Sequence, residues 1–300
     1  MISIIIPTYN NSHQLIKTIS NVLLQNIKDF EIVVVDDASN DDTELKIKAL
    51  NNLKIRYFQQ PKNMGVTLAR IKGIQKSSGK YVGFLDDDDL WLKDKLKKQL
   101  HLMIQKKLDF IMSDYIINDM IDNKNYQKSL RDFAVDFKSN IIKNPGPFFQ
   151  CCLFTRDFLL RHLNEFDSRA EPSEDWDFFI SISKANPKVD NINESMFQWN
   201  LSNTSQTSNY YNESCAIEYI IKKHENYMIT NGSNAIMNLH YRKLGSMFFY
   251  SNKFDRAKYY YNKAFKNNPS SLKNILFKFI YSMPQIVASP VISLLTTKIK

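Results

Sequence analysis

Glycine, proline and cysteine are all scarce in this 300-residue chain, at 7, 9 and 3 residues. So little glycine and proline excludes a collagen-like or compositionally simple fibre. Cys151, Cys152 and Cys215 are too few for a disulfide framework or a zinc site, and no histidine cluster replaces them. That cysteine usage suits folding in a reducing compartment. Long apolar runs are missing as well: no run of roughly 18 uncharged apolar residues exists, so nothing reads as a spanning helix. Met1 to Pro7 carries no basic leader and reads as a strand, which argues against a secretory signal.

Aromatic residues are abundant, and 20 phenylalanines and 15 tyrosines exclude an unfolded chain. The formal charge of +9 is unevenly spread. Residues 1–234 hold 29 lysines and arginines against 30 acids, whereas residues 235–300 hold 11 against Asp255 alone. The basic character belongs to the tail, where it would attract a phosphate-rich surface. It gives no reason to expect nucleic acid as the partner of the main domain.

The first half alternates. Ile2 to Pro7 and Glu31 to Asp37 are apolar, β-branched runs of the kind buried on both faces of a sheet. Ile55–Phe58, Tyr81–Leu85 and Asp109–Asp114 read as further strands. Helical patterns over about 15–24, 42–50 and 66–75 lie between the earlier ones. This is an α/β pattern with an open, mostly parallel sheet. Ligands of such sheets collect beyond the carboxyl ends of the strands, where this chain has Thr8-Tyr9-Asn10, Asp36-Asp37 and Asp86 to Asp89. No glycine-rich dinucleotide or Walker sequence follows any strand. A phosphorylated ligand here therefore needs positive charge from a divalent cation.

Four adjacent aspartates have two readings. One is a solvated turn before a helix over Trp91 to Lys106, with Asp89 as its cap. The other is a hard-metal site, since oxygen ligands suit Mg²⁺ or Mn²⁺. In an extended segment Asp86 and Asp88 point one way and Asp87 the other.

Read in order, these motifs carry a resemblance. Pro7-Thr8-Tyr9-Asn10, Val35-Asp36-Asp37-Ala38-Ser39, Asn63-Met64-Gly65 with Ala69-Arg70, and Gly79 through Trp91 resemble the inverting GT-A glycosyltransferases of family 2. The likeness runs over roughly the first 110 residues and resumes at Glu174-Asp175. It implies a GT-A fold over residues 1–234, with a nucleotide-binding half (1–110) and an acceptor-side half (111–234). Residues 235–300 would follow as a basic helical region.

The resemblance also implies roles. Pro7, Thr8, Tyr9, Asp36, Asp37, Asn63, Arg70, Asp86 and Asp87 would line the nucleotide-sugar site. Within it, Tyr9 would lie against the base, Thr8 would bond to it and Asp37 would read its edge. Asn63 and Arg70 would close around the nucleotide and diphosphate, and Asp86 would touch the ribose. Asp88 would reach Mn²⁺ or Mg²⁺. For Arg70 a plain salt bridge on the helix surface is the other reading.

Glu171 to Phe178 mixes acids with aromatics before an apolar segment. A capped helix start at Ser173 explains one acid but not all of them. By the resemblance Asp175 is the catalytic base and Glu174 supports it. Trp176 is either a core anchor or an acceptor-side platform. Cys151 and Cys152 read as core residues of a buried strand rather than nucleophiles. Ile192 to Trp199 resembles the segment that returns to the site. Relatives often carry tyrosine–arginine or histidine close by; this chain has Trp199-Asn200 and Asn203-Thr204-Ser205, so later diphosphate contacts stay unassigned.

Leu239 to Phe265 reads as two helices about a polar turn, the second like the end of a tetratricopeptide unit. Leu272, Ile275, Leu276, Phe279 and Ile280 form an apolar stripe interrupted by Lys273 and Lys278. Pro284 and Pro290 break the stretch after it. Such faces edged with lysine suit an anionic membrane surface, although the stripe could equally dock on the main domain or make a homodimer contact.

The expectation is metal-dependent, inverting transfer of a sugar from a nucleoside diphosphate, UDP before others. The acceptor is a glycan or lipid-linked glycan of the bacterial surface, and the place is the cytoplasmic face of the inner membrane. The rival from another class is a non-catalytic nucleotide-sugar-binding or glycan-assembly protein.

Overall fold

The computed structural model describes residues 1–201 and 209–280. The chain forms two compact units, Met1–Ser205 and Gln206–Lys300. In the first, β1 (Ile2–Thr8), α1 (Ser12–Leu23), β2 (Phe30–Asp36), α2 (Thr43–Ala49), β3 (Ile55–Gln59), α3 (Val66–Lys76) and β4 (Tyr81–Phe84) alternate. The chain continues through β5 (Leu90–Trp91), α4 (Lys95–Lys106), β6 (Phe110–Asp119), β7 (Lys124–Lys128), α5 (Arg131–Val135) and α6 (Phe137–Lys143). It ends with β8 (Leu153–Thr155), α7 (Arg156–Arg161), α8 (Glu174–Ser183) and β9 (Val189–Leu201).

The sheet order is β3-β2-β1-β4-β8-β6-β9-β5, with β7 paired to β6. The strands from β3 to β4 are all parallel, as the alternating half of the sequence requires. The other half is mixed: β8 runs antiparallel to both β4 and β6, and β9 lies parallel to β6. Every residue of β1 and β2 is buried, so their runs need no polar alternation. Helix α3 packs closely on β1, where a Cβ on Gly73 would lie 2.3 Å from the Ile5 side chain. Beneath β6 and β8 the rings of Phe110, Phe149, Phe154, Phe178 and Phe179 pack at centroid separations between 5.1 and 6.3 Å. This aromatic core fixes α8 against the sheet.

Two expected elements differ. The helix expected from Trp91 begins at Lys95, because Leu90 and Trp91 pair with Gln198 and Phe197 of β9. The apolar run around the adjacent Cys151 and Cys152 is a 3₁₀ turn over Phe149–Cys151, and strand structure starts only at Leu153. Both cysteines are buried, as expected.

The second unit contains α9 (Tyr210–Asn231), α10 (Asn234–Tyr250), α11 (Phe254–Asn267) and α12 (Leu272–Ile280). Helices α10 and α11 form the expected pair, with Tyr261 lying where a Cβ on Gly245 would be. The change of charge after residue 234 falls inside this unit, at the start of α10. Among the described residues no helix is long and apolar enough to cross a membrane. Residues 281–300, with their apolar stretch and prolines, lie outside the described residues.

Candidate active site

The parallel register sets Thr8 of β1 beside Asp36 of β2, and β4 delivers the four aspartates to the same edge of the sheet. Asp36 and Asp37 are both buried. Asp36 accepts from the Tyr57 hydroxyl and from the Ser39 N–H. Asp37 accepts from Gln60 Nε2, Met64 N and Gly65 N, each at 2.8 Å. Asp37 thereby anchors the loop that carries exposed Asn63. Pro7 is buried inside β1. Tyr9, 45% exposed, is open to a planar ligand.

Thr8 is spent differently from its expected bond to a base. It is buried and its hydroxyl donates to Asp87 Oδ2 at 2.5 Å. Asn11 Nδ2 holds the other Asp87 oxygen at 2.8 Å, and Thr18 Oγ1 donates to the Asp87 carbonyl. Desolvation lifts the Asp87 carboxyl to about 7, against the pull of these two side-chain hydrogen bonds. Asp87 therefore braces the turn. Asp89 is buried too and accepts from the Asn200 N–H, while Asn200 Nδ2 bonds the Asp88 carbonyl. Asp89 thus ties the turn to β9 and caps no helix.

Asp86 and Asp88 remain for a ligand. Asp88 is open to solvent at the rim, and no side chain bonds its carboxylate among the described residues. Desolvation by the surrounding wall, then the Asp86 charge, raise it to about 6. No set of three metal-ligating side chains converges among the described residues. The donor chemistry fits one hard divalent cation with a single protein carboxylate, the other ligands coming from phosphate and water.

Asp86 is held from two sides. Arg70 Nη2 bonds its Oδ1 at 2.9 Å and Gln150 Nε2 donates to its Oδ2. Arg70, only 2% exposed, extends from α3 and reaches Glu174 Oε1 at 2.5 Å with Nη1. The same nitrogen stands 3.7 Å from Asp175 Oδ1, and the guanidinium lies 5.0 Å from the Phe149 ring centroid. Burial alone would lower the Arg70 pKa, but the charges of Asp86, Glu174 and Asp175 outweigh it and keep the guanidinium protonated. This is no surface salt bridge. It joins the end of β4 to the start of α8.

Helix α8 begins at Glu174 with three acids in its first turn, while Ser173 stands at the N-cap without the expected side-chain capping bond. Burial raises both Glu174 and Asp175 above the ordinary carboxyl range, and the Arg70 charge opposes that rise. Asp175 Oδ2 accepts the Phe149 N–H at 3.2 Å. A carboxylate with raised proton affinity that keeps a part of its side chain exposed is suited to take a proton. Trp176 is 3% exposed and its Nε1 donates to the Ile141 carbonyl at 2.7 Å. That makes it the core anchor and not an acceptor platform. Burial pushes the Cys151 thiol up to about 12, so it is no nucleophile.

Three contributors were not anticipated from sequence. Gln150 was hidden as one amide within an apolar run. Asn200 stood only where the family pattern departs. Glu171 holds the start of α3: its Oε1 accepts from Thr67 N at 2.9 Å. A Cβ on Gly65, whose φ is +90°, would lie 2.8 Å from Glu171 Oε2.

Comparison with known proteins adds the following. The sequence profile of glycosyl transferase family 2 matches residues 3–163. The Escherichia coli UDP-Glc:alpha-D-GlcNAc-diphosphoundecaprenol beta-1,3-glucosyltransferase WfgD is 31% identical over 216 residues, 71% of this chain and 82% of that one. An uncharacterized glycosyltransferase of Rickettsia conorii is 35% identical over 191 residues, and there the match spans 62% of this chain and 30% of that one. Staphylococcus aureus TarS 1–349, solved with UDP-GlcNAc, superposes with a TM-score of 0.60 over 95% of this chain and 82% of that one. Its sequence identity is 17%, so that likeness speaks for the fold.

Proposed function

The chain belongs to glycosyl transferase family 2, and from that membership we propose that it transfers a sugar from a nucleoside diphosphate to a hydroxyl of a surface-glycan acceptor, with inversion. The observation that carries this reading is Arg70, buried between Asp86 at the end of β4 and Glu174-Asp175 at the start of α8. That arginine links the acid proposed for the nucleotide side to the proposed base, which supports one site for both. WfgD, by its name, uses UDP-glucose and a diphosphoundecaprenol-linked acceptor. That supports a UDP-sugar donor and a lipid-linked acceptor here.

The steps follow from the side chains. Tyr9 and Asn63 bound the base side, and Asp86 receives the ribose. Asp88 is the residue that would hold Mn²⁺ or Mg²⁺, and such an ion supplies positive charge opposite a leaving diphosphate. Asp175 takes the proton of the acceptor hydroxyl. That oxygen bonds to the anomeric carbon as the bond from carbon to the diphosphate oxygen breaks, and the nucleoside diphosphate departs with the electron pair. A single displacement inverts the centre and needs no enzyme nucleophile. Arg70 holds Glu174 and Asp86 in place while this happens.

The exposed face of α12 would seat the enzyme on an anionic bilayer, where its acceptor lies. Leu272 is 82% exposed and Ile275 and Leu276 are exposed beside it, with Lys273 and Lys278 at hand. The reading as a whole is tested by a transfer and donor-hydrolysis screen across UDP-, GDP- and dTDP-sugars with Mn²⁺ or Mg²⁺. Release of a nucleoside diphosphate from at least one donor is expected. No release from any of them, with polyprenyl-diphosphate sugars offered as acceptors, would sink it.

A further inference from the structure

The turn Phe149–Cys151 places one amide, Gln150, between the two carboxylate centres. Its Nε2 donates to Asp86 Oδ2, and the N–H of the preceding Phe149 donates to Asp175 Oδ2. Charge fixes which way the amide turns: an amide oxygen facing Asp86 would meet a carboxylate, so nitrogen takes that place. The oxygen is left on the other branch. Gln150 is buried, and its Oε1 receives no hydrogen bond from the described residues. Glu174 Oε2 and Asp175 Oδ1 are buried acceptors in the same condition.

Three buried acceptors without donors, linked through Arg70 and Asp86, form a costly arrangement, and Arg70 Nε beside them is a buried donor that no described residue accepts from. It suits a ligand rich in O–H or N–H groups. A diphosphate offers acceptors only, whereas a hexose carries several hydroxyl donors. The attacking hydroxyl accounts for Asp175, and Glu174 already has the Arg70 bond on its other oxygen. Gln150 Oε1 is the acceptor that the reaction as derived above leaves unused.

We propose that Gln150 is a specificity-determining contact of this chain: its Oε1 accepts from a hydroxyl or amide N–H of the donor's sugar, while its Nε2 steadies Asp86. The proposal rests on reading the crevice as a nucleotide-sugar site. It makes the sugar's affinity separable from the nucleotide's at one side chain.

Calorimetric titration tests it with UDP-glucose, UDP-galactose, UDP-N-acetylglucosamine and GDP-mannose, each against its free nucleoside diphosphate in Mn²⁺. The unaltered protein is expected to bind one nucleotide sugar more tightly than its free nucleotide. Gln150→Met keeps the length and removes the amide. Whatever it costs the free nucleotide through Asp86, it should cost the nucleotide sugar about tenfold or more beyond that, as when a site built to bond a hydroxyl loses its partner. Gln150→Asn, which withdraws the amide by one methylene, should do the same and stands in if the methionine variant unfolds. Equal losses for nucleotide and nucleotide sugar would reduce Gln150 to a brace for Asp86 and overturn the proposal. So would a fully retained sugar increment in the variants, or no increment in the unaltered protein. Failure of the unaltered protein to bind any nucleotide would instead bring down the reading of the site itself.

Discussion

Arg70 and Glu174 stand 104 residues apart in sequence and meet at 2.5 Å in the interior. The pair is buried, so neither charge is tolerable without the other, and Asp86 and Asp175 share the same cation. Arg70→Met should therefore destabilise the fold by roughly 3–5 kcal/mol, the scale for stranding buried charge. Arg70→Lys should recover little, since a point charge cannot fork between two carboxylates. Chemical denaturation checks both; a methionine variant as stable as its parent would mean that the acids simply protonate.

Asp175→Asn should leave nucleotide binding intact and lower transfer by roughly 10²-fold or more, the usual scale for losing a positioned base. Side-by-side calorimetry and single-turnover transfer would show it. A near-normal rate would assign the proton to another group.

Asp88→Ala, or EDTA added to the parent protein, should weaken UDP binding sharply, because Asp88 is the one rim carboxylate left without a side-chain partner among the described residues. The two treatments should not add. Unchanged affinity under both would remove the cation from the site.

Lys95 offers a test through pH. It is wholly buried, donates to Gln99 Oε1 at 2.6 Å and sits 4.4 Å from the Trp91 ring centroid. Burial depresses its pKa from 10.5 to about 7. Between those two values the unfolded chain binds the proton and the folded chain does not, so stability should rise with pH across that window. Lys95→Met should flatten this slope, and its stability relative to the parent should be greatest near pH 7 and decline toward pH 10. Thermal melts over that range decide it; a pH-independent difference would show that Lys95 stays charged when folded.

Leu272→Glu combined with Ile275→Glu should abolish co-flotation with vesicles containing phosphatidylglycerol at low salt. Both side chains are exposed on α12, while Phe277 stacks on Tyr261 at 5.0 Å and keeps the helix attached to its unit. If the unaltered protein fails to float, the apolar face has another use, and a dimer by sedimentation would identify it.

Much of this was legible beforehand for a physical reason. Strands buried on both faces must read as unbroken apolar runs, so β1, β2 and β4 announced themselves, and their carboxyl ends located Asp36, Asp86 and Asp88. Alternation in the aspartate run separated Asp87, which turns to Thr8 and Asn11, from Asp86, which turns to Arg70 and Gln150. What escaped was whatever depends on distant partners. A residue type shows that Thr8 can donate but not that Asp87 claims the bond. Nothing local to Trp176 distinguishes a surface platform from an indole bonded to Ile141. The two-residue β5 exists only because β9 returns beside it, so a helix starting at Trp91 was the natural local reading. Helix α9 was missed because its polar residues are spread along its whole length and blur the period.

The bonds from Thr67 and Arg70 of α3 to Glu171 and Glu174 have a consequence for how such enzymes diversify. On the proposed function the two halves of this unit look exchangeable by recombination, since one would meet the donor and the other the acceptor. These bonds cross that seam. A hybrid joining the first 110 residues of one relative to the remainder of another would inherit an arginine and a glutamate selected against different partners. Viable crossovers should therefore carry residues 65–70 and 171–175 from a single parent, which ties the evolution of acceptor choice to that of the nucleotide pocket.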